Sequence, residues 1–244
     1  MVTNIDTLSF TSVINNRIDI KIMEDELLNY FRVNLTDRQN RQQLNSDSFI
    51  GDGSITIFEL TGDKDSKGRH KLMSIKNITV NGVSQTFMKD YVAGFRKESP
   101  ILGKIQFWNA PENDATIVVS YYYQYSFVYT ESSRIDLSSN AYPRVSLELF
   151  NFVPKDKCIG GKVTAHDITW MITVVDVTRT GVTNITQELK NMFIDESVKH
   201  GFYSFDYIRN PRLTPCIPNG EDSNDIVFVQ QVEVEMPAQY EFSK

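Results

Sequence analysis

Cysteine is nearly missing from this chain: Cys158 and Cys216 stand far apart in unlike surroundings. Neither a disulfide framework nor a C-x-x-C metal site can be built from them. Histidine is almost as scarce, at His70, His166 and His200. No apolar run approaches the ~18 residues a membrane-spanning helix needs, and the start at Met1-Val2-Thr3-Asn4-Ile5-Asp6 lacks the basic and apolar regions of a signal peptide. A protein made and used in a cytoplasm, away from membranes, is the expectation. Positive charge is also in deficit, with 25 Lys and Arg against 31 Asp and Glu, a net charge of −6. Such a balance gives no long-range attraction to phosphate backbones, which argues against sequence-independent grip on nucleic acid.

The catalytic and nucleotide signatures are absent as well. There is no G-x-x-x-x-G-K-[ST], no strand-linked G-x-G-x-x-G and no H-E-x-x-H. His166 beside Asp167 is the one pair that resembles an oriented base, as in a hydrolase, but adjacent strand residues point to opposite faces. Residues 47–54 superficially resemble a calcium loop, yet Phe49 interrupts the alternate oxygen ligands and Phe58 occupies the place of the closing carboxylate. A turn launching a strand accounts for them. No enzyme, cofactor or metal is expected.

What is present is aromatic. Tyr and Phe number 11 and 15 in 244 residues, a surplus that favours strands and flat packed surfaces. A chain of this length buries roughly 70% of its unfolded surface, so a core forms without staples. Ile20, Met23, Leu27 and Phe31 recur at three- and four-residue steps and predict a helix over residues 16–34. The polar run 36–43 then reads as a solvated helix end or loop. From Gly51 the period changes to two, and strands are predicted over 54–60, 75–80, 86–92, 104–108 and 115–129. Asn81-Gly82 carries the residues of a tight two-residue hairpin, where both positions take positive φ. The stretch 117–125 has large residues on both faces, including Tyr121, Tyr123 and Tyr125, and is expected between layers or in a subunit contact.

Beyond Ser133 the design changes. Strands are predicted over 144–149 and 163–177, bent at Gly160-Gly161, then a helix capped by Thr183 or Asn184 with Ile185, Leu189, Met192 and Phe193 buried and Gly201 at its end. Strands over 202–208 and 226–236 close the chain around a loop at 210–225. The expected fold class is therefore α+β: an antiparallel sheet packed by two helices, with a small all-β, sandwich- or barrel-like module inserted. Residues 1–50 and 131–244 would form the discontinuous outer domain and 51–130 the insert. Arg134, Arg144, Arg179, Arg209 and Arg212 fall near strand ends, where they would meet carboxylates such as Glu233 and Glu235 of a neighbouring subunit. Glu233 and Glu235 alternate with Val232 and Val234 and so share one strand face.

The succession Gly51-Asp52-Gly53-Ser54-Ile55-Thr56-Ile57-Phe58-Glu59-Leu60, Ile78-Thr79-Val80-Asn81-Gly82-Val83, Gly103-Lys104-Ile105-Gln106-Phe107 and Ile117-Val118-Val119-Ser120-Tyr121 resembles a β module common in structural proteins of tailed phages. The flanking parts, with Leu27-Leu28-Asn29-Tyr30-Phe31-Arg32 on a helix ahead of Tyr142-Pro143-Arg144-Val145-Ser146-Leu147 on a strand, are similar to the tail-terminator and tail-completion family. That resemblance implies a virion protein assembled in a host cytoplasm into a sixfold ring at the head-tail neck. Its partners would be further copies of itself, the tail-tube protein and the head connector, with genomic DNA passing through without sequence-specific binding. The β insert departs from the compact members of the family, and a baseplate or host-recognition component whose insert binds a partner is the alternative. The candidate interface residues are Tyr121, Tyr123, Tyr125, Arg134, Arg144, Arg179, Glu233 and Glu235.

Overall fold

The chain is a mixed α+β protein with mostly antiparallel sheets. The computed structural model describes residues 20–36, 42–62, 73–95, 99, 101–123, 127–130, 142–156, 163–194, 209–219, 226–236 and 238–241. Two compact units divide it: Asp25–Ser126 form one, and Met1–Glu24 with Phe127–Lys244 form the other. The insert expected at 51–130 thus extends back to Asp25. The reason is visible in the polar contacts of helix α1 (Ile20–Asn34). Asn29 Oδ1 accepts from the Ile75 amide at 2.7 Å, and the buried Arg32 donates from Nη1 to the Phe95 carbonyl at 2.8 Å. Its apolar stripe, Leu27, Leu28 and Phe31, is fully buried.

In this first unit β1 (Gln43–Ile50), β3 (Met73–Val80), β4 (Val83–Ser84) and β7 (Thr116–Tyr123) form a sheet in the order β1-β7-β3-β4. A second sheet, β2-β6-β5, is built from β2 (Ile57–Glu59), β5 (Tyr91–Ala93) and β6 (Lys104–Phe107). These are open sheets of four and three strands rather than a barrel. Their core is a run of touching rings: Phe49 to Phe58 at 5.3 Å, Phe58 to Phe107 at 5.8 Å and Tyr91 to Phe107 at 6.3 Å. The β3–β4 hairpin turns at Asn81 and Gly82 with φ of 51° and 79°, as the dipeptide predicts. Of the polar run 36–43, residues 37–41 lie outside the described residues, and Gln43 opens β1, which pairs along the whole length of β7.

The second unit is a seven-stranded sheet ordered β11-β13-β10-β9-β8, with β12 also on β13 and β14 also on β10. Its strands are β8 (Val128–Thr130), β9 (Arg144–Asp156), β10 (Val163–Asp176), β11 (Arg209–Leu213), β12 (Ile217–Asn219), β13 (Val227–Glu235) and β14 (Ala238–Glu241). All pair antiparallel except β8 with β9, which run parallel. Helix α2 (Arg179–Ile194) buries Val182, Ile185, Leu189 and Phe193 in this unit. It begins earlier than the predicted cap at Thr183 or Asn184, because Thr178 takes that role: its Oγ1 accepts from the Gly181 amide at 3.0 Å. Sequence reasoning expected two helices on this sheet; from Asp25 onward α1 belongs to the other unit. The predicted loop at 210–225 holds β11 and β12, whereas the predicted strand at 202–208 and the cap at Gly201 lie outside the described residues.

Candidate functional site

Alternation along β13 separates two faces of the seven-stranded sheet. Val232 and Val234 are fully buried, and Gln230 reaches α2, accepting at Oε1 from the Thr186 hydroxyl at 2.8 Å. Gln230 Nε2 in turn donates to the Thr214 carbonyl at 2.8 Å, tying the segment after β11 to the same face. Glu233 and Glu235 project to the opposite face, which is half-exposed, and there they share rows with β10 and β9. One row runs Glu148, Met171, Glu233, Arg212; the next up the sheet runs Ser146, Thr173, Gln231.

Arg212 thus lies beside Glu233 in register and 4.0 Å from Glu235 within the same chain. Its side chain is 66% exposed, and an ion pair that long in water contributes little to stability. The guanidinium therefore stays available to a further carboxylate. Arg144, in contrast, is buried and lies over the Tyr142 ring at 5.7 Å. Arg179 is exposed at the first position of α2, where its carbonyl accepts from the Thr183 hydroxyl at 2.9 Å. Arg134 and Tyr125 lie outside the described residues.

The tyrosines of β7 divide likewise. Tyr121 is fully enclosed on the inner face of its sheet with Ile117 and Val119, so its ring is closed to a sister chain. Burial also pushes its phenol above the ordinary range. Tyr123, at the strand end, is half-exposed and donates to Gln43 Oε1 at 2.8 Å. Tyr122 points the other way, under Lys76, whose ammonium stands 5.8 Å from the ring centre.

The residues weighed for chemistry are placed apart. His166 stacks on Phe152 with ring centres 4.6 Å apart, its Nδ1 is buried without a hydrogen-bond partner, and burial lowers its pKa. Asp167, the next residue along β10, lies on the other face. Asp47 is an inward strand residue, and Asp52 closes a turn by accepting from the amides of Ser54 at 2.9 Å and Ile55 at 2.6 Å. Those bonds, Ile55 first, hold the Asp52 carboxyl below its usual range. Among the described residues no three His, Cys, Asp or Glu side chains converge as a metal site, and no helix is long and apolar enough to cross a membrane.

Exposed apolar side chains occur in both units, among them Val83 and Ile50 in the first and Phe150 and Ile217 in the second. Phe150 is the extra residue of a bulge in β9, where Asn151 pairs with Thr169 and Leu149 with Trp170, and it stands 61% exposed. The adjacent apolar pair Leu149-Phe150, which breaks the alternation of Val145, Leu147 and Leu149, was its signal. Ile217 on β12 is 56% exposed, in a segment whose prolines had marked it as loop. No protein-family model matches this chain, and no curated protein matches it in sequence.

Proposed function

We propose that this chain is a structural virion protein that forms a ring at the head-tail neck of a tailed virus, capping the tail tube and joining it to the head connector. The observation that carries the reading is the apolar exposure on the α+β unit, above all at Phe150 and Ile217. Large apolar side chains held in water on ordered strands are what a subunit presents to neighbours rather than what a solitary chain needs. The order of a helix, a hairpin, a helix and closing strands is the one the tail-terminator resemblance implies, with the β module as an addition to it. The net charge of −6 gives no long-range attraction to DNA passing through.

A second reading, a baseplate or host-recognition component, rests on the outer face of the four-stranded sheet. Ser46, Ser48, Thr79 and Ser120 share that face with Leu44 and Ile50, which are 56% and 63% exposed, and Lys76 sits at its bulge. Light scattering and negative-stain imaging of the purified chain separate the two. Rings that seat on the ends of isolated tail tubes support the neck reading; a chain that stays single at high concentration and binds host cells supports the other.

A further inference from the structure

We propose that β1 of the first unit is a self-pairing edge. Two copies of this chain join across a two-fold axis at Asp47, β1 antiparallel to β1, with Leu44 of each opposite Ile50 of the other. A two-fold contact stops at two copies and does not itself close a ring, so this pairing goes beyond the neck reading and does not rest on it.

β1 ends the order β1-β7-β3-β4, and its register with β7 runs without a shift from Gln43 to Ile50. Beyond that end the Gly51 amide donates to the Ala115 carbonyl at 2.8 Å, while on the β3 side the Asn81 amide donates to the Thr116 carbonyl at 2.8 Å. Backbone groups alternate sides along a strand. Gln43, Asn45, Asp47 and Phe49 therefore bond toward β7. Leu44, Ser46, Ser48 and Ile50 turn their amides and carbonyls to the open side, where no strand meets them among the described residues.

Open edges are templates for another strand, and natural sheets defend them. Elsewhere in this chain the defence is present: β2, β4 and β5 have two or three residues, β9 is bulged at Phe150, and β11 and β12 carry Pro211 and Pro218. β1 has eight residues with no proline, no lysine and no bulge, and its outer-face side chains are uncharged. Leu44 and Ile50 stand on that face in water.

Its own sequence selects the occupant. Along the outer face the order is Leu44, Ser46, Ser48, Ile50, which reads the same in both directions about Asp47. In the antiparallel register centred there, Leu44 meets Ile50 and Ser46 meets Ser48 on both sides of the axis. These are the residues with open amides and carbonyls, so each pair gains both of its ladder hydrogen bonds. A register slipped by two residues sets Leu44 or Ile50 against a serine, and a slip of one turns the outer face of one copy to the inner face of the other. The axis also brings the two Asp47 residues opposite each other on the inner face. Each carboxylate is held by the Thr61 amide and hydroxyl and the Tyr121 hydroxyl of its own chain. The like charges weaken the pair, which makes it a concentration-dependent contact rather than a permanent one.

Sedimentation velocity over a concentration series of the full chain tests it. The wild type should double in mass as concentration rises. Leu44→Glu and Ile50→Lys lie at exposed positions, so each should keep the wild-type circular dichroism and melting temperature while weakening the doubling about tenfold. Both substitutions in one chain should restore it, because each new carboxylate then faces a new ammonium across the axis, which happens in no other register. A wild type that does not double, single variants that double as the wild type does, or a double variant as weak as the singles would each overturn the pairing. Negative-stain imaging reads the ring separately. A wild type that pairs but forms no rings supports this contact and overturns the neck reading, whereas loss of rings in Leu44→Glu would overturn the two-fold geometry.

Discussion

The hydroxyl of Tyr121 on β7 donates to Oδ2 of Asp47 on β1 at 3.0 Å, inside the first unit. The same carboxylate accepts from the Thr61 amide and the Thr61 hydroxyl, each at 2.6 Å, and Asn45 Nδ2 donates to the Tyr121 oxygen at 2.8 Å. A buried carboxylate is stable here because protein donors replace water. The cluster also holds the chain after β2 over the sheet, where a Cβ added at Gly62 would press on the Tyr121 ring at 2.9 Å.

Removing the acceptor should cost more than removing one donor. Tyr121→Phe leaves Asp47 its two Thr61 bonds and is expected to lower stability by about 1 kcal/mol. Asp47→Ala strands the Tyr121 hydroxyl and the Thr61 amide together and should cost about 2–3 kcal/mol. Urea unfolding of the full chain measures both. Equal losses would show that the carboxylate is not the centre of the cluster.

At the start of α2, Thr178→Ala should destabilise by about 1 kcal/mol, whereas Thr178→Gly should cost a few tenths, since a cap accepts from an otherwise unpaired amide. Thr183→Ala, at the cap predicted from sequence, removes only a bond to the Arg179 carbonyl and should be milder than Thr178→Ala. Thermal melts of the three variants would rank them.

His166 makes stability depend on pH in a definite direction. Burial lowers its folded pKa beneath the ordinary 6.5, so the neutral ring is favoured in the folded state. That contribution is intact above 6.5 and is lost as pH falls from 6.5 toward the lowered folded value. The melting temperature of the wild type should decline over this window by more than that of His166→Phe. Parallel pH profiles would refute a role for the imidazole.

In the β3–β4 turn, Gly82 has φ 79° with open space around its Cα, so Gly82→Ala tests backbone strain without a clash. About 1 kcal/mol of destabilisation is expected. Asn81→Ala should cost about the same or more, because it both meets the positive φ of 51° and loses the bond from the Thr116 amide to Asn81 Oδ1. Urea midpoints give the comparison.

Much of the secondary structure was readable from local pattern. The alternation of Ile117, Val119 and Tyr121 places one face of β7 in a core, and Ile185, Leu189 and Phe193 recur as one buried helical face. What escaped had weak or contradictory local signals. β1 is mostly polar, with Ser46, Asp47 and Ser48 at its middle, and is a strand because β7 pairs with it. α2 begins ahead of Gly181, a residue that reads as a breaker, and β11 and β12 carry Pro211 and Pro218 on a sheet edge, where a missing amide is tolerated.

The sequence by itself determined the α+β character, the periods of its longest elements and the Asn81-Gly82 turn, because these follow from backbone preferences and residue spacing over a few positions. Tertiary structure alone decided that Tyr121 is enclosed with Asp47 rather than offered to a neighbour, that α1 from Asp25 onward joins the β module, and that Phe150 and Ile217 stand at opposite edges of one sheet. Burial and edge position depend on which distant strands pair, and no local run of residues carries that information.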